Sequence, residues 1–131
     1  MKYLGIDYGS KRIGLATSDD GGEFAFPLVV LENKNNVLDK VKEIITNEKI
    51  DIIILGESLD YKGKPNTIMK DIEKFKIALK NKVGLPVHLE PEFLTTAEAE
   101  RLQEDSVNLD ASAAALILKS YLSKKNDRKI F

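Results

Sequence analysis

The segment "IDIIILG", residues 50–56, constrains the fold more than any other stretch of the chain. Its aliphatic residues run without alternation, so a strand built from them must be covered on both faces. It belongs at the centre of a sheet, in a parallel arrangement that needs helical crossovers. The flanking sequence supplies such helices. In "NVLDKVKEIITNEK", Val37, Leu38, Val41, Ile44 and Ile45 keep one face apolar, and Ile68, Ile72, Phe75 and Leu79 do the same in "NTIMKDIEKFKIALKNK". "GLPVHLEPEF" then reads as a further strand after a Gly-Leu-Pro entry.

The opening "MKYLGIDYGSKRIGLATSD" reads as a β-hairpin. Tyr3, Leu4 and Ile6 form a short apolar run, "DYGSK" supplies the turn, and Ile13, Leu15 and Ala16 resume the pattern. Gly9 and Ser10 shape that turn, and Asp7 projects from the end of a central strand. A third strand follows in "EFAFPLVVL". Thr95 and Glu98 have the spacing of a capping box and start a third helix. The Ala-rich "LDASAAALILKSYL" is a fourth helix with Asp110 at its start, and the tail "SKKNDRKIF" reads as frayed and basic. The order βββαβαβαα implies an α/β fold, a mixed five-stranded sheet with helices on both faces.

With 131 residues, 43% of them hydrophobic and 31% charged, the chain is expected to form one domain over residues 1–131. The absence of cysteine excludes disulfides, thiolate metal sites and a catalytic thiol, and fits a reducing cytoplasm. No segment approaches membrane-spanning length and none resembles a signal peptide. A formal net charge of −1 gives no global electrostatic case for nucleic acid, so any such site must be a local patch.

Five segments carry a resemblance: "GIDYGSKRIGLATSD", "AFPL", "GKPN", "EPEFLTTAEAERL" and "LDASAAALILKSYL". In that order, and spread over nearly the whole chain, they resemble the YqgF/RuvX family of RNase H-like nucleases. The resemblance implies an RNase H-like fold and a metal-dependent nuclease. The family is linked to maturation of the small-subunit ribosomal RNA precursor and, by an older description, to resolution of Holliday junctions.

The chemistry of phosphodiester hydrolysis agrees with that implication. It needs an activated water and neutralised charge on the attacking and leaving oxygens, which a pair of Mg²⁺ or Mn²⁺ ions roughly 3.5–4 Å apart can provide. Such ions take oxygen ligands and retain waters, so a few convergent carboxylates suffice. Asp7, Glu92 and Asp110 stand at element ends, and each matches an acidic position of the family motif. They are the expected catalytic and metal-ligating residues. Lys11, Arg12, Lys62 and Lys64 are the expected substrate contacts, with Arg101 a further candidate. A guanidinium can hold a phosphate bidentately, whereas the lysines act as point charges.

Each of these residues has a plainer reading. Asp7 can begin a turn, Asp110 can cap the Ala-rich helix, and Glu92 lies among Glu90, Glu98, Glu100, Glu104 and Asp105, any of which can simply be solvated. His88 alternates with Val87 and Leu89, which fits an exposed strand position. Departures from the family pattern concern substrate grip. Phe93 stands where an arginine is usual, and "QEDSVN" replaces a basic loop. "GESLDYKGK" puts Glu57 at the end of the fourth strand, where RNase H-like enzymes often place an acid, and so makes it a rival to Glu92. Three other functions stay open: a resolvase acting on branched DNA, a catalytically inert RNA-binding assembly factor, and a two-lobed ATPase of the actin and sugar-kinase type. The ATPase would need a second lobe that this length does not supply. Precursor rRNA is the expected partner and a monomer the expected state, with a dimer as the alternative.

Overall fold

The computed structural model describes the backbone of residues 1–59, 68–93 and 106–130, and the side chains of 1–57, 68–91 and 111–127. The third helix expected from Thr95 lies outside the described residues. Three antiparallel strands open the chain: β1 (Tyr3–Tyr8), β2 (Arg12–Ser18) and β3 (Ala25–Glu32). Helix α1 (Val37–Glu48) leads to β4 (Ile52–Leu59), α2 (Met69–Val83) to β5 (Val87–Phe93), and a long helix α3 (Ser106–Ile130) ends the chain.

The strands form one mixed sheet in the order β3-β2-β1-β4-β5, with β4 and β5 parallel to β1. The aliphatic run of residues 50–56 is therefore interior, as both of its faces require, although β1 and not β4 holds the middle position. The hairpin occupies one side of β1 and the crossover strands the other. Ile53, Ile54 and Leu55 are each 0% exposed. Pro27 is accommodated because β3 is an edge strand, where the lost N–H breaks no interior ladder.

Two apolar layers cover the sheet. On one face Leu4, Ile6, Ile13, Leu15, Ile53 and Leu55 pack against Val41, Ile72, Phe75 and Leu79 of α1 and α2. On the other, Tyr3, Ala16 and Ile54 pack against Ala114, Ile117, Leu118 and Leu122 of α3. Each fully buried Leu or Ile contributes about 2 kcal/mol by leaving water. Helices thus lie on both faces, as expected.

Helix α3 corrects two expectations. It begins at Ser106, so Asp110 is in its second turn and is not its N-cap. It continues through the supposedly frayed tail to Ile130. Contacts from one short stretch account for that continuation: Lys124 bonds Glu90, Lys125 lies 4.8 Å from the Tyr3 ring centre, and Asn126 Nδ2 donates to the Gly22 carbonyl.

Candidate active site

Alternation along β1 fixes the direction of Asp7. Leu4 and Ile6 enter the α1/α2 layer, while Tyr3 and Gly5 face α3. Asp7 continues the second set at the carboxyl end of the central strand, where it is half-buried. Helix α3 runs antiparallel to β1 across this face. The Tyr121 ring lies 5.9 Å from that of Tyr3, and Gly5 lies beneath Ala114 and Leu118. Only a glycine permits that approach, because a Cβ at position 5 would stand 2.8 Å from Leu118 Cβ and 2.9 Å from the Ala114 carbonyl oxygen. From Gly5 to Asp7 the strand rises roughly 6.6 Å, and from Ala114 back to Asp110 the helix covers roughly 6 Å in the same direction. The backbone of Asp110 therefore reaches the level of Asp7; its side chain lies outside the described residues.

Strand β5 brings the third acidic position to the same face. Val87 and Leu89 pack on the α1/α2 layer. His88 is exposed, as expected, and stacks on Tyr121 at 6.2 Å between centroids and 15° between planes. Glu90 meets α3 through Lys124. By the same alternation the position of Glu92 is on the α3 face, at the end of the strand and paired with Ser58. Its side chain lies outside the described residues.

Glu57 falls on the other face. It follows Ile53 and Leu55 of the α1/α2 layer, and the pairing of Ile6 with Leu55 puts it level with Tyr8, whose ring packs 5.0 Å from Phe75 in that same layer. The strand pleat thus separates Asp7 from Glu57, while Asp7 and the Glu92 position share a face.

The hairpin tip beside Asp7 is braced. A Cβ on Gly9 would lie 2.5 Å from the Arg12 carbonyl oxygen, so this turn requires glycine. Asn33 donates from Nδ2 to the Gly9 carbonyl and from its backbone N–H to that of Lys11, both at 2.9 Å. Lys11 is exposed and Arg12 half-buried. Glu32, paired with Arg12 across the strands, accepts a hydrogen bond from Lys34 that holds its carboxyl below the usual 4.5. Lys62, Lys64 and Arg101 lie outside the described residues.

Glu90 departs from its sequence reading. It is 2% exposed, not solvated, and both carboxylate oxygens accept from Lys124 Nζ, at 2.8 and 3.1 Å. Among the described residues no three His, Cys, Asp or Glu side chains form a group that could hold a metal ion. Only Asp7 of the three expected ligands has a described side chain.

Residues 1–124 match the family model described as "RuvX: Holliday junction resolvase". The chain belongs to the RuvX family. Among its relatives, a protein of Maridesulfovibrio salexigens named "Putative pre-16S rRNA nuclease" is 37% identical over 134 residues, 95% of this chain and 99% of that one. One of the same name from Pseudomonas putida is 39% identical over 130 residues, covering 91% and 92%. RuvX is thus a family of nucleases and resolvases, and its chemistry is phosphodiester hydrolysis. Among solved structures, RuvC of Thermus thermophilus superposes with a TM-score of 0.58 at 14% identity over 97% of both chains. The Holliday junction resolvase of fowlpox virus gives 0.56 at 15% identity over 95% of this chain and 99% of that one. The shared architecture is the RNase H-like fold. No helix among the described residues is long and apolar enough to cross a membrane.

Proposed function

We propose that the chain is a single-domain, metal-dependent endonuclease that processes precursor 16S rRNA in the cytoplasm. The observation that carries this reading is the placement of Asp7 and of the Glu92 and Asp110 positions on the α3 face, at one end of the sheet. Ligand sites of α/β sheets favour that edge. The donor set is all carboxylate, which suits a hard cation such as Mg²⁺ or Mn²⁺, and the cationic partner of Glu90 is already in place. Asp7, Glu92 and Asp110 would hold such a cation, which would supply charge neutralisation at the phosphodiester and lower the pKa of a bound water.

Asp7 supplies the fixed ligand, because β1 is held on both sides. Glu92 comes from the end of β5 and Asp110 from the second turn of α3. Arg12 and Lys11 hold the phosphate backbone beside Asp7 on the braced hairpin tip, with Lys62 and Lys64 as further point charges. Glu92→Gln is accordingly expected to lower Mn²⁺ affinity and turnover about a hundredfold, while Glu57→Gln stays within about threefold of wild type. Metal titration of both variants checks this; the reverse ranking would place the second acid on β4.

RNA is favoured over a DNA junction on physical grounds. A resolvase cutting two symmetric strands is expected as a two-fold dimer with a broad basic face. This chain has a net charge of −1 and an uncharged Phe93 directly after Glu92. A flexible single strand can bend into an acidic edge with few phosphate contacts. If the four named cations engage, the log–log salt slope of binding is about −3. The test is the purified protein with Mg²⁺ or Mn²⁺ on precursor 16S rRNA, unrelated single-stranded RNA and a four-way DNA junction in parallel. Cleavage of the precursor by a monomer supports the proposal. Paired symmetric cutting of the junction by a dimer would replace it with the resolvase reading.

A further inference from the structure

Glu90 is the one charged side chain buried among the described residues, and its partner comes from a helix 34 positions away. Helix α3 otherwise meets the sheet largely through Ala114, Ile117, Leu118 and Leu122. Apolar packing of this kind is non-directional and leaves small tilts of the helix weakly determined at its two ends. The Glu90–Lys124 bond is directional. With 3% of its side chain exposed, Glu90 takes both of its carboxylate hydrogen bonds from Lys124, and an unpaired carboxylate buried there would be costly, so the pair favours the placement of the helix that keeps Lys124 within reach. The His88–Tyr121 stack and the Tyr3–Tyr121 contact lie one turn earlier on the same stretch of α3.

We infer that Glu90 and Lys124 are positioning residues for the hydrolytic site: their ion pair sets the lie of α3 and thereby places Asp110 against Asp7. The inference rests on the nuclease reading above. Lys124 and Asp110 are separated by roughly 21 Å of helix, so a tilt of about 5° about Lys124 carries Asp110 by roughly 2 Å. Misplacement by 1 Å at a reacting centre can cost about a hundredfold in rate. The leverage lies in the length and continuity of α3. Neither Glu90 nor Lys124 needs to touch metal or substrate.

The experiment compares the wild-type chain with Lys124→Met, Lys124→Arg and the double variant Glu90→Gln/Lys124→Met. The double variant removes the clamp without stranding a buried charge, and so keeps a folded comparison available. Thermal unfolding, Mn²⁺ affinity, and kcat and KM on single-stranded precursor 16S rRNA are measured for each. Lys124→Met and the double variant are expected to bind Mn²⁺ about tenfold more weakly and to lose about tenfold or more in kcat, with KM nearly unchanged. Lys124→Arg is expected to restore both to within about threefold of wild type. Variants that melt earlier yet keep wild-type Mn²⁺ affinity and kcat would overturn the positioning role and leave the nuclease reading intact. A wild-type chain that binds no Mn²⁺ would remove the nuclease reading itself, and the positioning role with it.

Discussion

Replacing Asp7 with Asn is expected to reduce turnover about a thousandfold or more while leaving the fold intact. The substitution is nearly isosteric, so the half-buried end of β1 and its pairing with Gly14 persist. In the proposed site, what it removes is one formal charge from a set of convergent carboxylates. Without cations such a cluster repels itself, because each carboxylate raises the cost of ionising its neighbours. The Asn variant should therefore melt at the wild-type temperature or above it in chelator, and should lose the stabilisation that added Mn²⁺ gives the wild-type protein. Cleavage assays and thermal melts with and without Mn²⁺ read both effects. Full activity in the Asn variant would take Asp7 out of the mechanism.

The second large effect is expected from Gly5→Ala, a substitution that touches no acidic residue. A methyl group at position 5 would stand 2.8 Å from Leu118 Cβ and 2.9 Å from the Ala114 carbonyl oxygen. Relief requires α3 to lift from the centre of the sheet, where Tyr3, Ala16 and Ile54 would lose their cover. Overpacking of this kind costs about 3 kcal/mol, which lowers the melting temperature by about 10 °C in a chain of this size. Turnover should fall as well, because the helix that carries Asp110 is displaced. Asp7→Asn and Gly5→Ala thus separate the two contributions: the first removes chemistry at constant stability, and the second removes both. A Gly5→Ala protein with the wild-type melting temperature would contradict the close seating of α3.

How much of this was legible in the sequence depended on whether the information is local. The aliphatic run at 50–56 announced an interior strand because both of its faces are apolar. The hairpin followed from the turn at Gly9, and α1 and α2 from their periodicity. The face on which each acid sits was not legible, because the pleat reverses direction at every residue and the register of β4 against β1 is set by tertiary pairing. Glu57 and Glu92 both end strands, and only the register separates them. In the sequence Glu90 is one of several acids in a stretch where any can simply be solvated. The signal that could have found it is the alternation of Val87 and Leu89 with His88 and Glu90, which puts the acid on one sheet face. Its burial depends on Lys124, 34 residues away, which no local pattern reports. The full length of α3 is hidden for the same reason: "SKKNDRK" has a polar, unpatterned composition, and the contacts of Lys124, Lys125 and Asn126 with distant residues hold it helical. Gly5 looked like an ordinary strand residue, and its role appears only once α3 lies on top of it.

In the proposed mechanism one cation-binding edge is formed by Asp7 of β1, Glu92 of β5 and Asp110 of α3. Crystals of the protein grown with Mn²⁺ test it most directly, through anomalous scattering that locates the ions independently of any assumed site. The expected result is Mn²⁺ bound by the Asp7 carboxylate, with Glu92 and Asp110 completing its protein ligands and Glu90 still paired with Lys124. Mn²⁺ bound through Glu57 on the α1/α2 face, or through Glu90 in place of Glu92, would contradict it.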